Sequence, residues 1–304
     1  FVPYARSYDY DGSFGLYKFE RNTVRCMVHY RTLMPLVDST AMKPEKNVTG
    51  RIEHRALILK RFISTNTFYE LGSGLESKKS YSFIEVTEGQ GVYMWNDKTD
   101  YNANGIPELN EFEIAKYQYQ ANYVKIFIPT QEYVSVMTNQ FGETIQIDPK
   151  NILKNKNGIS GIISRFSDVA MYKIEYKTTD ENMLSNSNPF KDVFVDTGLV
   201  SLSLQRKNTV YLNKGSSKFS VSYSLSNDVS RLYSTSGWEQ RENLIHEITN
   251  REDLFSTLTL ELKCGKGQKK SDTEADFLGN KKYEIELEYV EPAISWQPNP
   301  SVEL

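Results

Sequence analysis

Residues 219–226 read Phe-Ser-Val-Ser-Tyr-Ser-Leu-Ser, a strict alternation of apolar and polar side chains. A period of two places one set on each face of an extended chain, which predicts a β-strand with one face toward water. The pattern returns at 258–263, where leucines alternate with Thr, Glu and Lys, and at 283–289, where Tyr, Ile and Leu alternate with Glu. The C-terminal part of the chain is therefore predicted to be antiparallel β-structure.

Segments of similar composition continue this prediction toward the N-terminus. They are Gly15–Glu20, Val24–Arg31, Ile52–Ile63, Ser80–Val86, Tyr123–Ile128, Tyr133–Thr138, Val169–Lys177 and Val210–Asn213. Turn-forming residues are expected to separate the strands. These are Asp11-Gly12, Asn157-Gly158, Ser236-Gly237 and the run Gly265-Lys266-Gly267, and we expect Gly265–Ser271 to be a flexible basic hairpin tip. Helical spacing of apolar residues occurs over Leu109–Gln120 and, more weakly, over Arg241–Thr249.

These patterns predict a mainly β fold with antiparallel sheets and one short helix near residue 109. The sheets are expected to be sandwich-like or to form part of an outer-membrane barrel, because both architectures use strands of alternating polarity. The polar, turn-rich segment Pro149–Gly161 favours a boundary there, with Asp180–Pro189 as an alternative. We therefore expect a β-rich domain at 1–155, which contains the loop 100–111, and a second antiparallel β region at 156–304.

The composition excludes several classes of protein. The 304 residues include 36 Lys plus Arg and 39 Asp plus Glu, and this net charge of −3 argues against a nucleic-acid partner, which needs a basic surface. Aromatic residues make up 12% of the chain, unlike a disordered protein. No apolar run is long enough for a transmembrane helix. The chain lacks an initiator Met, and we expect it to be a piece of a longer protein.

One segment carries a metal-binding pattern. Residues 100–111 read Asp-Tyr-Asn-Ala-Asn-Gly-Ile-Pro-Glu-Leu-Asn-Glu, the layout of a twelve-residue EF-hand loop. Gly105 stands at the sixth place, where the chain must turn sharply with a positive φ. The predicted Ca²⁺ ligands are side-chain oxygens at places one, three, five, nine and twelve and a backbone carbonyl at place seven: Asp100, Asn102, Asn104, Glu108, Glu111 and Ile106.

Two features distinguish this loop from a paired EF-hand. The preceding residues resemble the end of a strand rather than a helix, and Pro107 lacks the N–H that would bridge to a sister loop. We therefore expect a structural calcium clip between a strand and a short helix, with a dissociation constant of about 10⁻⁴ to 10⁻³ M or somewhat tighter, suited to extracellular calcium. The competing interpretation is a solvated acidic turn.

The region from Phe68 to Thr138 resembles a segment of large cell-surface and outer-membrane-associated proteins of Bacteroidetes-type bacteria. The matching stretches are 68–76, 89–95, 100–113 and 121–134, and relative to that family Asn96–Thr99 resembles a small insertion. The resemblance implies an envelope location and a β-rich structural role, and it implies no catalytic residues.

The expected function is a calcium-stabilised structural or interaction region of a bacterial cell-surface or outer-membrane protein, more a binding region than an enzyme. Its partners would be other envelope proteins or surface glycans, with outer-membrane association as a further option. The alternatives are a secreted or surface polysaccharide hydrolase, and part of an outer-membrane transport or assembly barrel. His246-Glu247 begins a zinc-protease pattern, but Asn250 stands where the second His is needed. Cys26 and Cys264 are either two half-buried strand residues or a disulfide.

Overall fold

In a computed structural model, most of the chain is β-strand. The structure describes residues 5–19, 21–36, 45–95, 100, 103–153, 157–180, 187–195, 198–216, 218–234, 237–255, 257–273 and 282–296. The strands in these ranges are β1 (Ala5–Phe19), β2 (Asn22–Pro35), β3 (Glu45–Ile58), β4 (Ile63–Glu85), β5 (Tyr93–Met94), β6 (Glu113–Ile114), β7 (Tyr123–Ile147), β8 (Phe166–Thr178), β9 (Leu199–Leu212), β10 (Phe219–Ser234), β11 (Gly237–Phe255), β12 (Leu258–Thr273) and β13 (Tyr283–Trp296). The predicted mainly β class is confirmed.

The long strands form one antiparallel sheet in the order β1-β2-β3-β4-β7-β8-β9-β10-β11-β12-β13, and β5 and β6 lie off this path. The predicted antiparallel pairing is confirmed. Since each long strand pairs with the next long strand along the chain, they lie side by side in one open sheet, whereas the sequence led us to expect sandwich-like sheets or part of a barrel. β7 pairs with β8 from Met137↔Thr178 to Ile147↔Asp168, so the regions predicted on either side of residue 155 share this sheet.

Two predicted turns lie inside strands and are therefore wrong as turns. Asp11 and Gly12 pair with His29 and Val28 in the β1–β2 ladder. The run Gly265-Lys266-Gly267 lies in the middle of β12. A Cβ atom on Gly267 would stand 2.6 Å from the backbone oxygen of Leu244, so this glycine permits close approach of a neighbouring strand.

The predicted strand Ile52–Ile63 is broken by a reversal at residues 59–62. Leu59, Lys60 and Arg61 have positive φ values of 49°, 58° and 67°. Residues with large side chains rarely adopt this conformation. The reversal connects β3 to β4, and it carries none of the usual turn residues.

The predicted helical ranges are also corrected. Leu109–Gln120 contains a turn, β6 and a single 3-10 turn at Gln118–Gln120, because pairing of β6 with β5 takes the chain out of a helical path. Arg241–Thr249 lies within β11. A short helix α1 (Gly158–Ile163) forms instead, beginning inside the predicted boundary segment and ending two residues beyond it. Among the described residues, no helix is long and apolar enough to cross a membrane.

The buried core lies where residues 187–195 pack over one face of β8, β9 and β10. It comprises Ile174, Tyr176, Val193, Leu199, Leu202, Leu204 and Val229. Phe190 extends the cluster, with its ring centroid 5.1 Å from that of Phe141 and 5.7 Å from that of Tyr172. This segment is anchored by the Tyr69 hydroxyl, which donates to the Ser187 carbonyl at 2.8 Å.

Candidate metal centre

The β4–β7 hairpin extends beyond its neighbours in the sheet. Pairing of β3 with β4 ends at Gly72, and pairing of β7 with β8 ends at Met137. Beyond these points the ladder of β4 continues through Ser73–Glu85 against β7, with a bulge between Ser77 and Lys79. At about 3.3 Å per residue, this extension places its end roughly 40 Å past the last β3 pair.

The residues between β4 and β7 fold back onto the end of this hairpin. We call residues 86–95, 100 and 103–122 the tip. The Val92 amide donates to the Tyr123 carbonyl at 2.9 Å, and the Ala115 amide donates to the Val92 carbonyl at 2.9 Å. A Cβ atom on Gly91 would lie 2.6 Å from the backbone nitrogen of Tyr123, so the close contact of the tip with β7 requires glycine there.

An aromatic cluster holds the tip together. The rings of Phe83 and Phe112 stack with centroids 4.0 Å apart. Tyr93 packs edge-on against Phe83 at 4.9 Å, and Tyr123 packs edge-on against Phe112 at 4.9 Å. Because Phe112 directly follows Glu111, this packing fixes the end of the predicted calcium loop against the hairpin.

The first half of the loop coils around the carboxylate of Asp100. Its Oδ1 accepts the backbone N–H of Asn104 at 3.2 Å, and its Oδ2 accepts that of Gly105 at 2.7 Å. Gly105 has a φ of +73°, as predicted for the sixth place of the loop. Ala103 also has a positive φ, of 56°.

The second half of the loop continues this chain of contacts. Asn104 Nδ2 donates to Glu108 Oε1 at 3.2 Å, and Asn104 Oδ1 accepts the Ile106 amide at 2.7 Å. The Glu108 amide in turn donates to Glu111 Oε2 at 3.2 Å. The structure therefore links the predicted ligands at places one, five, nine and twelve through hydrogen bonds.

The carboxylate of Glu111 is buried, with 1% of the residue exposed. Its Oε2 also accepts a hydrogen bond of 3.1 Å from the indole Nε1 of Trp95. Burying a carboxylate is costly unless hydrogen bonds or a cation compensate for the lost hydration. The twelfth place of the loop, which closes the coordination shell in EF-hands, is thus held rigidly inside the tip.

The other predicted ligands are placed as follows. Asp100 is half-buried, and Asn104 and Glu108 are exposed. Asn102 lies outside the described residues. Ile106 was expected to contribute its backbone carbonyl, not its side chain, as a ligand. Trp95 and the aromatic cluster support the loop without having been predicted to do so, although Trp95 stands only five residues before Asp100 in the sequence.

The donor set suits a hard cation. Among the described residues, no group of three or more His, Cys, Asp and Glu side chains is arranged to hold a metal ion. The predicted ligand set consists instead of three carboxylates, two Asn side-chain amides and one backbone carbonyl. All six would coordinate through oxygen, and Ca²⁺ prefers oxygen ligands. The predicted residues therefore fit calcium in donor chemistry, and Gly105 has the positive φ predicted for the sixth place.

Other chemically reactive residues occupy strand positions. Cys26 and Cys264 are both free and half-buried, as in the simpler of the two interpretations. His29 Nδ1 lies 2.6 Å from Asp11 Oδ1, and His246 Nδ1 lies 2.8 Å from the Tyr223 hydroxyl. Each of these pairs joins two neighbouring strands.

Comparison of the chain with family models, with curated proteins and with solved structures finds no match.

Proposed function

We propose that this chain is a calcium-stabilised structural and interaction region of a bacterial cell-surface or outer-membrane protein. The observation that carries the proposal is the loop 100–111 at the end of the projecting hairpin, with Glu111 buried and hydrogen-bonded to Trp95. A calcium ion in this loop would tie the segment after β5 to the segment before β6.

Charge supports a cation at this place. Asp100, Glu108 and Glu111 put three negative charges into one short loop, and their oxygens accept hydrogen bonds from backbone and side-chain N–H groups. Bringing these carboxylates together without a cation costs free energy through mutual repulsion. A divalent ion would reduce the charge of the loop to −1 and stabilise the fold of the tip.

The surface of the tip supports an interaction role. The rings of Tyr117 and Tyr119 stack with centroids 5.7 Å apart and an interplanar angle of 11°. Both side chains are exposed, at 59% and 61%. Exposed, preordered aromatic rings are typical of surfaces that bind sugars or proteins, which are the two partner classes expected from the sequence.

The two alternatives differ in their support. Nothing in the described part of the chain favours a polysaccharide hydrolase. The barrel alternative depends on the surface of the sheet rather than on the loop, and it does not conflict with a calcium-stabilised tip.

Calcium titration of a chain with Trp95 as its only tryptophan tests the proposal. Replacing Trp238 and Trp296 by Phe leaves the indole that contacts Glu111 as the reporter. We expect calcium to change its fluorescence and to stabilise the tip, by about 2.7 kcal/mol at a calcium concentration 100 times Kd. A chelator should reverse both effects.

The controls separate calcium binding from a general effect of lost charge. Asp100→Ala combined with Glu111→Gln should abolish the response. Glu113→Gln removes an exposed carboxylate just outside the loop and should leave the response unchanged. If the double variant responds to calcium as the parent chain does, the proposal is wrong.

A further inference from the structure

Over most of the sheet the two faces have opposite character, although on β13 the exposed side chains of Tyr283 and Ile285 lie on the face opposite to Ile294. Paired residues lie on the same face, so the register traces each face across all the long strands. One face carries Phe14, Val28, Ile52, Phe219, Ile248 and Ile294, and we call it the apolar face. The opposite face is called the polar face.

The apolar face is exposed over much of its area. Ile294 is 69% exposed, Phe14 59% and Val28 54%. Most of the other exposed large apolar side chains of the strands lie on this face too. With about half of a side chain of 150–250 Å² exposed at each position, the apolar area is on the order of 1,500 Å². A typical monomer has a largest apolar patch of about 300–600 Å², and one side of a standard protein interface buries about 800 Å².

The polar face carries most of the ion pairs of the sheet. Arg51 contacts Glu53 at 2.8 Å and Glu70 at 3.0 Å, and Lys177 contacts Glu76 at 3.3 Å. On β10 this face shows serines at every second position from Ser220 to Ser226. Such a face is suited to water.

On each strand, the apolar residues of this face form a stretch. The position of this stretch along the strand changes from one edge of the sheet to the other. One register line runs through Val290, Cys264, Ile248, Tyr223, Val210, Asp168, Ile147, Ile63 and Ile58. On β13 the apolar stretch is 290–296, and its midpoint lies three residues to one side of this line. On β3 the stretch is 48–58, and its midpoint lies five residues to the other side.

This shift has a simple geometrical meaning. From β13 to β3 there are eight steps between neighbouring strands, and the midpoint of the apolar stretch moves by about one residue at each step. A flat apolar layer produces this displacement when the strands that cross it are tilted by about 35–45° from the normal of the layer. On β12 and β13 the apolar stretch ends where charges begin, since Lys266 Nζ lies 2.8 Å from Glu288 Oε1 on the same face. The apolar stretch is thus a slanted band with a defined margin.

The two ends of the strands also differ. One end of the sheet is the end at which β12 begins and β13 finishes. The connections between strands at this end are 20–21, 59–62, 213–218 and 256–257, and the longest is 148–165. At the other end they are 36–44, 86–122, 179–198 and 274–282, with 235–236 as the shortest. Short connections at one end and long ones at the other are typical of membrane-spanning β-sheets, whose long loops face outward.

Charged side chains interrupt the apolar face, among them Arg206 and Glu252. Two further carboxylates on this face are hydrogen-bonded to neighbouring strands. Glu143 accepts a hydrogen bond from the Thr67 hydroxyl, and Asp168 accepts one of 3.0 Å from Asn208 Nδ2. All four side chains lie on the apolar face. Polar side chains inside a membrane characteristically pair with one another in this way.

We propose that the exposed band of the apolar face, beside the area of β8, β9 and β10 that residues 187–195 cover, lies against the hydrocarbon chains of a lipid bilayer, so that the long strands form a section of a membrane-spanning β-sheet. This deepens the proposed envelope function by naming lipid as the partner, and it does not depend on calcium binding. The calcium loop would stand on the long-loop side of the membrane, beyond the band. Within the bilayer, the outer edges of β1 and β13 must also pair with strands, because unpaired backbone groups are not tolerated in hydrocarbon.

Spin labels on neighbouring positions test this proposal. In a chain with Cys26→Ala and Cys264→Ala, single cysteines replace Val221 or Ile294 on the apolar face and Ser222 or Ser295 on the polar face. The labelled chains are refolded with phosphatidylcholine vesicles and recovered by flotation. Collisions of the label with oxygen, which concentrates in lipid, are then compared with collisions with a water-soluble nickel chelate.

The expected result is alternation. Labels at 221 and 294 should collide with oxygen several-fold more than with nickel, and labels at 222 and 295 should show the reverse preference. Three results would each overturn the proposal. The apolar-face labels could be accessible to nickel, neither reagent could reach them because a protein surface or a second copy covers them, or the chain could fail to float with the vesicles. The same alternation is expected with Asp100→Ala and Glu111→Gln present, so failure of calcium binding would leave this result unchanged.

Discussion

The indole Nε1 of Trp95 donates a 3.1 Å hydrogen bond to Oε2 of Glu111, across the loop that separates the two residues in the chain. The same oxygen accepts the backbone N–H of Glu108 at 3.2 Å. These donors replace part of the hydration that the buried carboxylate has lost. The strand end before the loop and the last residue of the loop are thereby held together.

Trp95→Phe should weaken the tip while leaving the sheet intact. The substitution keeps an aromatic ring but removes a donor from a buried carboxylate, and this costs about 1–3 kcal/mol. Hydrogen exchange of the Val92 and Asn122 amides, which donate to β7 and β5, reports on the tip. Trp238→Phe, on β11, is the control and should not change their protection. Unchanged protection in Trp95→Phe would show that the indole hydrogen bond contributes nothing.

Gly105→Ala and Ala103→Gly should change calcium affinity in opposite directions. Gly105 has a φ of +73° with open space around its Cβ position, so alanine there adds only backbone strain, of about 1–2 kcal/mol. Ala103, with a φ of 56°, already bears such strain, and glycine would relieve it. Isothermal titration of both variants with calcium measures the two effects. Equal affinities would mean that this loop conformation is not the one that binds calcium.

The sequence predicted the strands where alternation was long and unbroken. Phe219–Ser226 lies within β10, and the alternating segments near the C-terminus lie within β12 and β13. The reversal at Leu59–Arg61 could not be predicted, because these residues adopt positive φ without any Gly, Asn or Pro to indicate it. Conversely, Gly267 indicated a turn but serves the close approach of β11. Pairing between strands decided both cases.

The candidate loop could be predicted from the sequence, but the residues that support it could not. Oxygen-bearing residues at alternate positions around Gly105 follow from the coordination chemistry of calcium. The stacking of Phe112 on Phe83 joins residues far apart in the chain, and only the paired hairpin brings them together. Phe112 lies in the range Leu109–Gln120, for which a helix was predicted, and its packing on Phe83 goes with the non-helical path of this segment.

Gly267→Ala should destabilise the sheet much more than Gly50→Ala. A Cβ atom on Gly267 would lie 2.6 Å from the Leu244 carbonyl oxygen, so β11 or β12 must shift, at a cost of about 1–3 kcal/mol. Gly50 has nothing within 4 Å of its Cβ position, and alanine there should be neutral or slightly stabilising. The midpoints of denaturant unfolding of the two variants measure the difference. Equal midpoints would show that the strands adapt without strain.

Ile294→Lys and Ser295→Lys should differ in a bilayer. Ile294 is already 69% exposed, so in water lysine there should change stability by no more than about 0.5 kcal/mol. Against hydrocarbon the same lysine should cost about 2–4 kcal/mol, whereas lysine at Ser295, on the polar face, should cost little. Denaturant unfolding of both variants in phosphatidylcholine vesicles measures the difference. Since the two positions are adjacent in β13, a general weakening of this strand would destabilise both variants equally. A larger loss of stability for Ile294→Lys than for Ser295→Lys therefore requires contact of one face with lipid.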